Sequence, residues 1–197
     1  MAGVSERAPE LHRTLARAAA AAFGGQPSVH RYWDQTEHSS VDLLSAADAH
    51  FPGVTSYATI GLCEQDQGLI VESKPLRIEL LAAGYNRFEF LPNILTTCVF
   101  NVINSGYVCR HGATFPEVVH MYLPSALMKH ILFTSPFLWE GQFEAIYLPE
   151  RAIAWLLAVP ISEEELQYAE RRGSDALESL LQEREIDVFD LSRPCVA

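Results

Sequence analysis

The chain has 197 residues, 49% of them hydrophobic and 20% charged. That is enough apolar material for one core, too little chain for two domains of ordinary size, and far from the profile of a disordered protein. Its 25 acidic residues outnumber 14 basic ones, a net charge of −11 with no basic cluster, which argues against nucleic-acid binding because that affinity rests on neutralising phosphates.

The alanine-rich opening, RTLARAAAAAFGG, predicts a first helix from about Ala8 to Ala22, stopped at Gly24 and Gly25. It does not read as a secretory signal: Arg17 breaks the apolar stretch, and Glu6 and Glu10 precede it where basic residues belong. A cytoplasmic protein is expected. Strands follow near Val29 to Trp33 and Val41 to Ser45, then a stronger one in TSYATIGL, where Thr55, Tyr57 and Thr59 alternate with Ser56, Ala58, Ile60 and Leu62. CEQDQG reads as a polar loop. PLRIELL resumes the alternation, with Leu76, Ile78 and Leu80 expected inward and Arg77 and Glu79 outward.

A central helix is predicted from about Pro92 to Asn104, with Leu91, Leu95, Cys98 and Val102 on one stripe and Gly106 at its end. From Tyr107 to Pro124 mostly loop is expected. KHILF, FEAIYL and IAWLLAV read as three strands, the last apolar on both faces, therefore central in the sheet, and closed by Pro160. The apolar run Ala152 to Ile161 is too short to cross a bilayer. Ser162 and Glu165 form a capping box for a helix that Gly173 stops, and Ser174 begins another with Ala176, Leu177, Leu180 and Leu181 at helical spacing. IDVFDL is expected extended, because Arg193-Pro194 resists a return to helix.

No motif specifies a cofactor or metal. The four cysteines (Cys63, Cys98, Cys109, Cys195) include no C-x-x-C pair and read as free thiols. Cys109, Arg110 and His111 form the one close thiol–guanidinium–imidazole group and hence the best candidate nucleophile. The spacing of His111, His120 and His130 matches no zinc motif, although ligands can still meet in space from separate elements. Serine-elbow, dinucleotide and P-loop signatures are missing. Asn93, Asn101 and Asn104 mark either a polar pocket beside the central helix or ordinary caps and solvent contacts. Phe137 and Trp139 are contact anchors if exposed and close the end of the sheet if buried.

The tail VPISEEELQYAERRGSDALESLLQEREIDVFDLSRP resembles bacterial members of the Suppressor of fused (SUFU) domain family. FPGVTSYATIGL, FLPNILTTCVFNV, MKHILFTSPFLWE and AWLLAVPI resemble the same family, so the likeness spans nearly everything after the first helix. It implies one α+β domain, a mixed and mostly antiparallel sheet packed with a central helix and two C-terminal helices. Residues 1–28 would supply an N-terminal helix and turn, and residues 29–197 the SUFU-like domain. Bacterial relatives look like immunity proteins, cytosolic factors that bind and neutralise a cognate toxin. Animal relatives hold a peptide between two domains; this chain resembles only the N-terminal one. A non-enzymatic protein binder with no cofactor is therefore expected, and a basic partner with it, given that residues 161–197 hold ten acidic residues against four arginines. Glu163, Glu164, Asp187 and Asp190, with Phe137 and Trp139, are the expected contacts. A small hydrolase using Cys109 and His111, or a pocket near the central helix, is the alternative; a structural or assembly role is a third.

Overall fold

The computed structural model describes residues 9–197; Ala8, where the first helix was expected to begin, and Glu6 lie outside them. Four helices and nine strands follow one another among these residues: α1 (Glu10–Phe23), β1 (Ser28–Trp33), β2 (Ser40–Ala47), β3 (Val54–Ile60), β4 (Ile70–Val71), β5 (Lys74–Tyr85), α2 (Leu91–Ser105), β6 (Thr114–Phe115), β7 (Met128–Thr134), β8 (Ile146–Tyr147), β9 (Ala152–Ser162), α3 (Glu163–Arg172) and α4 (Ser174–Glu183). The strand order is β1-β2-β3-β5-β9-β7-β6, with β4 beside β5 and β8 beside β9. Every pairing is antiparallel except β5 with β9.

The sheet is covered on both faces, which explains why β9 is apolar on both sides. On one face α2 packs Ile94, Leu95, Cys98 and Val102 against Ile78, Leu80 and Leu156. On the other, α1 presents Leu15, Ala19 and Phe23, and α3 and α4 present Leu166, Leu177 and Leu181, to Leu81, Trp155, Leu157 and Val159. Each fully buried leucine stabilises the fold by roughly 1.5–3 kcal/mol.

Four expectations need correction. Glu79 faces inward and is fully buried, because α1 and the turn after β3 cover the face on which alternation places it. Thr59 Oγ1 donates to its carboxylate at 2.5 Å, and the Gly61 and Cys63 amides donate at 2.8 and 3.1 Å. Burial nevertheless dominates and pushes the carboxyl up to about 7, against the pull of those donors. Pro160 does not close β9, which runs on to Ser162. Beyond Leu157 the strand pairs, among the described residues, with β7 alone. The Pro160 carbonyl accepts from Arg193 Nη2 at 3.1 Å; a strand residue's N and O point the same way, so the missing N–H costs β7 nothing. In FEAIYL only Ile146 and Tyr147 pair. IDVFDL is a pair of turns: Asp187 accepts the Phe189 N–H at 3.1 Å and Asp190 the Ser192 N–H at 2.9 Å, local bonds that compete with an extended backbone.

The Ser162–Glu165 capping box forms with both bonds in place. Glu165 does more than cap. It is completely buried and its carboxylate takes Arg193 Nη1 at 2.7 Å and Nη2 at 2.8 Å, so the box also clamps the C-terminal tail to the sheet.

Candidate groove and its surroundings

After β7 the chain makes a 3-10 turn, Phe137–Trp139. Trp139 is 1% exposed, its ring 5.0 Å from Phe23 and 5.4 Å from Phe143. It is a core residue, not a contact, and it corrects the expectation in a specific way. Burying Trp139 anchors the turn and leaves Phe137 half exposed beside it. Across from Phe137 lies the end of α4 and the segment after it. Between them runs a groove of about 480 Å³, with Val159, Leu181 and Ile186 among its apolar lining and Glu140, Glu178 and Glu185 as its charged side chains.

The sequence held a signal for this surface. Glu178, Leu181, Gln182 and Glu185 recur at i, i+3, i+4 and i+7, one stripe of α4 and its exit. The stripe through Leu177 and Leu181 packs inward, and the acidic stripe borders it.

Of the other expected contacts, none lines the groove. Glu163 bonds His130 Nε2 at 3.1 Å and accepts Gln167 Nε2 at 3.0 Å. The bond from Gln167 chiefly, with His130, holds its carboxyl below the usual range despite some desolvation. Glu164 is exposed. Asp187 accepts the Tyr85 hydroxyl at 2.7 Å, and Asp190 pairs with Arg87 at 2.8 Å. These two carboxylates tie the tail to the β5–α2 connection.

The thiol candidate loses its chemistry in the fold. Cys109 is completely buried, and burial, aided by nearby Cys98, raises its thiol well above the ordinary value. His111 stands half exposed, beside Glu178 rather than with the thiol. Cys63 and Cys98 are likewise buried with raised thiols, for the same leading reason. Cys195 accepts from Ser162 Oγ at 3.1 Å.

A second hollow, of about 490 Å³, does lie beside α2 and includes Asn93, Asn101 and Asn104. Within it Asn104 is engaged by the protein itself: its Nδ2 donates to Asp34 at 2.9 Å, and its Oδ1 accepts Ser39 Oγ at 2.7 Å. Among the described residues two groups bring potential metal ligands within 4.8 Å of one another, His111–Asp175–Glu178 and Glu117–His130–Glu163. In the second, His130 Nδ1 accepts the Glu117 N–H at 2.9 Å, which puts the ring proton on Nε2, where Glu163 takes it. No ring lone pair is left for a metal. The first is an open cluster on the groove's border, with His111 Nε2 3.4 Å from Glu178.

The sheet is buried on both faces, and the groove beside α4 is open to solvent and rimmed by carboxylates. Comparison with known proteins then gives the family. The family model for Suppressor of fused protein (SUFU) matches residues 37–194, and the chain belongs to that family. It is 44% identical over 185 residues to Immunity protein YqcF of Bacillus subtilis (strain 168), covering 94% of this chain and 96% of that protein. A crystal structure of a putative SUFU homologue from Neisseria gonorrhoeae FA 1090 superposes with a TM-score of 0.70 at 13% identity, covering 95% of this chain and 97% of that one. The Sufu–Fu complex matches with a TM-score of 0.67 at 13% identity, over 94% of this chain and 92% of its own. Drosophila Suppressor of Fused matches with a TM-score of 0.64 at 12% identity, covering 92% of this chain but 50% of that one; the chain spans about half that protein's length. No helix among the described residues is long and apolar enough to cross a membrane.

Proposed function

We propose that this chain is a cytoplasmic protein-binding factor that neutralises a cognate protein toxin by non-covalent capture. The observation that carries the reading is the 44% identity to an immunity protein, extending over almost the full length of both chains. The acidic groove and the negative net charge support a basic partner, since complementary charge speeds encounter and suppresses wrong partners. The burial of Cys109 weighs against the hydrolase alternative, because an inaccessible, protonated thiol is a poor nucleophile. The test is growth rescue. Each reading frame flanking this chain's gene is expressed in a host with and without the chain; a frame that kills alone and is tolerated with the chain is expected, and a killing frame unrelieved by high levels of folded chain sinks the reading.

A further inference from the structure

We infer that His130 is a proton-operated latch: its neutral ring holds the turn that begins at Glu117 against β7, and protonation releases that turn. The imidazole is 1% exposed and uses both of its nitrogens. Nδ1 has the lone pair and accepts the Glu117 N–H at 2.9 Å, while Nε2 carries the proton and faces Glu163 at 3.1 Å. A second proton has only Nδ1 to go to. There it sets one donor against another, because a backbone N–H cannot accept, and the latch bond is lost.

An acceptor for the new proton already stands beside it. Glu117 Oε1 lies 3.6 Å from Nδ1, so one residue loses a bond through its backbone and gains one through its carboxylate. Among the described residues Glu117 and Glu163 are the only carboxylates within 4 Å of the ring nitrogens. Lys129, next along β7, acts on Glu163. The neighbouring strand β9 has no titratable side chain, and Arg193 from the tail is engaged by Glu165.

Glu117 sits at a φ of 62°, a left-handed conformation that a glutamate keeps only where its surroundings fix it. Its carbonyl accepts the Met121 N–H at 3.1 Å, so release of Glu117 is carried to Met121 and Tyr122, which line the hollow beside α2. The Val119 and His120 amides keep their bonds to the Lys129 carbonyl, at 3.0 and 3.2 Å, which confines the change to the turn. The latch therefore makes the shape of that one surface depend on pH.

Amide hydrogen exchange of the full chain, read by NMR, tests the latch without any partner. The protection factor of the Glu117 amide, which divides out the chemical effect of pH on exchange, should fall roughly tenfold between about pH 8 and about pH 5. Over the same range the His130 ring nitrogens should pass from the Nε2–H tautomer to the doubly protonated ring. H130N puts a side-chain oxygen where Nδ1 stood and takes no proton, so protection there should stay flat. Glu79 and His120 are intact in that variant; a fall that persists in it belongs to one of them and overturns the assignment. E117Q keeps the backbone bond and removes the neighbouring charge from an exposed side chain, so it folds whether or not H130N does. Its fall should come at lower pH than in the wild type, and coincident curves overturn the latch. So does a ring protonated on Nδ1 at about pH 8, or wild-type protection that is flat across the range.

Discussion

Arg193→Met should be the most damaging single substitution in the C-terminal tail. Arg193 and Glu165 are 4% and 0% exposed, and two charge-assisted bonds of 2.7 and 2.8 Å join them. Removing the guanidinium leaves a buried carboxylate with the Ser162 and Val196 amides, and it frees the Pro160 carbonyl. Breaking one side of such a pair costs about 3–5 kcal/mol, a large part of the ~5–15 kcal/mol that holds a domain together. For a chain of this size the melting temperature should fall by about 10 °C. Replacing both residues by Met should cost much less than the two single changes added, because no charge is then stranded. Urea unfolding of the wild type, both single variants and the double variant closes the cycle. A loss under about 1 kcal/mol for Arg193→Met, or additive losses, would refute the reasoning.

Three other outcomes follow from the fold. Glu79 has a folded carboxyl near 7 against an ordinary 4.5, so the folded state binds the extra proton, and its contribution is full below about pH 4.5 and lost as pH rises through 7. The loss is on the order of 3 kcal/mol; stability of wild type relative to E79Q, measured by denaturation from pH 4.5 to 8, should fall across that window and level off above it, and a flat difference counts against the shift. Glu185→Gly should raise stability by about 1 kcal/mol by removing left-handed strain, which thermal unfolding reads directly; a loss would show that the carboxylate supports the fold. Cys109→Ala should lower stability by about 1 kcal/mol, through the lost packing of a buried thiol, and leave toxin neutralisation at wild-type strength; abolished neutralisation in folded protein would reinstate the thiol as a functional group.

What the sequence made legible depended on how local the determining physics is. The capping box, the α2 stripe and the two-sided apolar run of β9 are each written within a dozen residues, and pattern reading finds them. Glu79 was misplaced because alternation gives its face but cannot tell that the other face is covered too, nor that Gly61 and Cys63 aim their amides at it. The Asp187 and Asp190 turns were missed because side-chain bonds two residues ahead outweigh an extended preference. For the site, the aromatic turn was visible and its partner was not. Phe137 and Glu178 are distant in sequence, and only packing of α4 beside β9 brings them to one groove. The resemblance to the family supplied what neither periodicity nor motif offered.

The central claim is stoichiometric capture, and a titration of purified toxin domain with purified chain tests it most directly. Residual toxin activity, read at fixed times, should fall linearly and break near one equivalent, with the same breakpoint after long incubation. A chain that silences many equivalents of toxin, progressively with time, would be acting as an enzyme and would contradict the account.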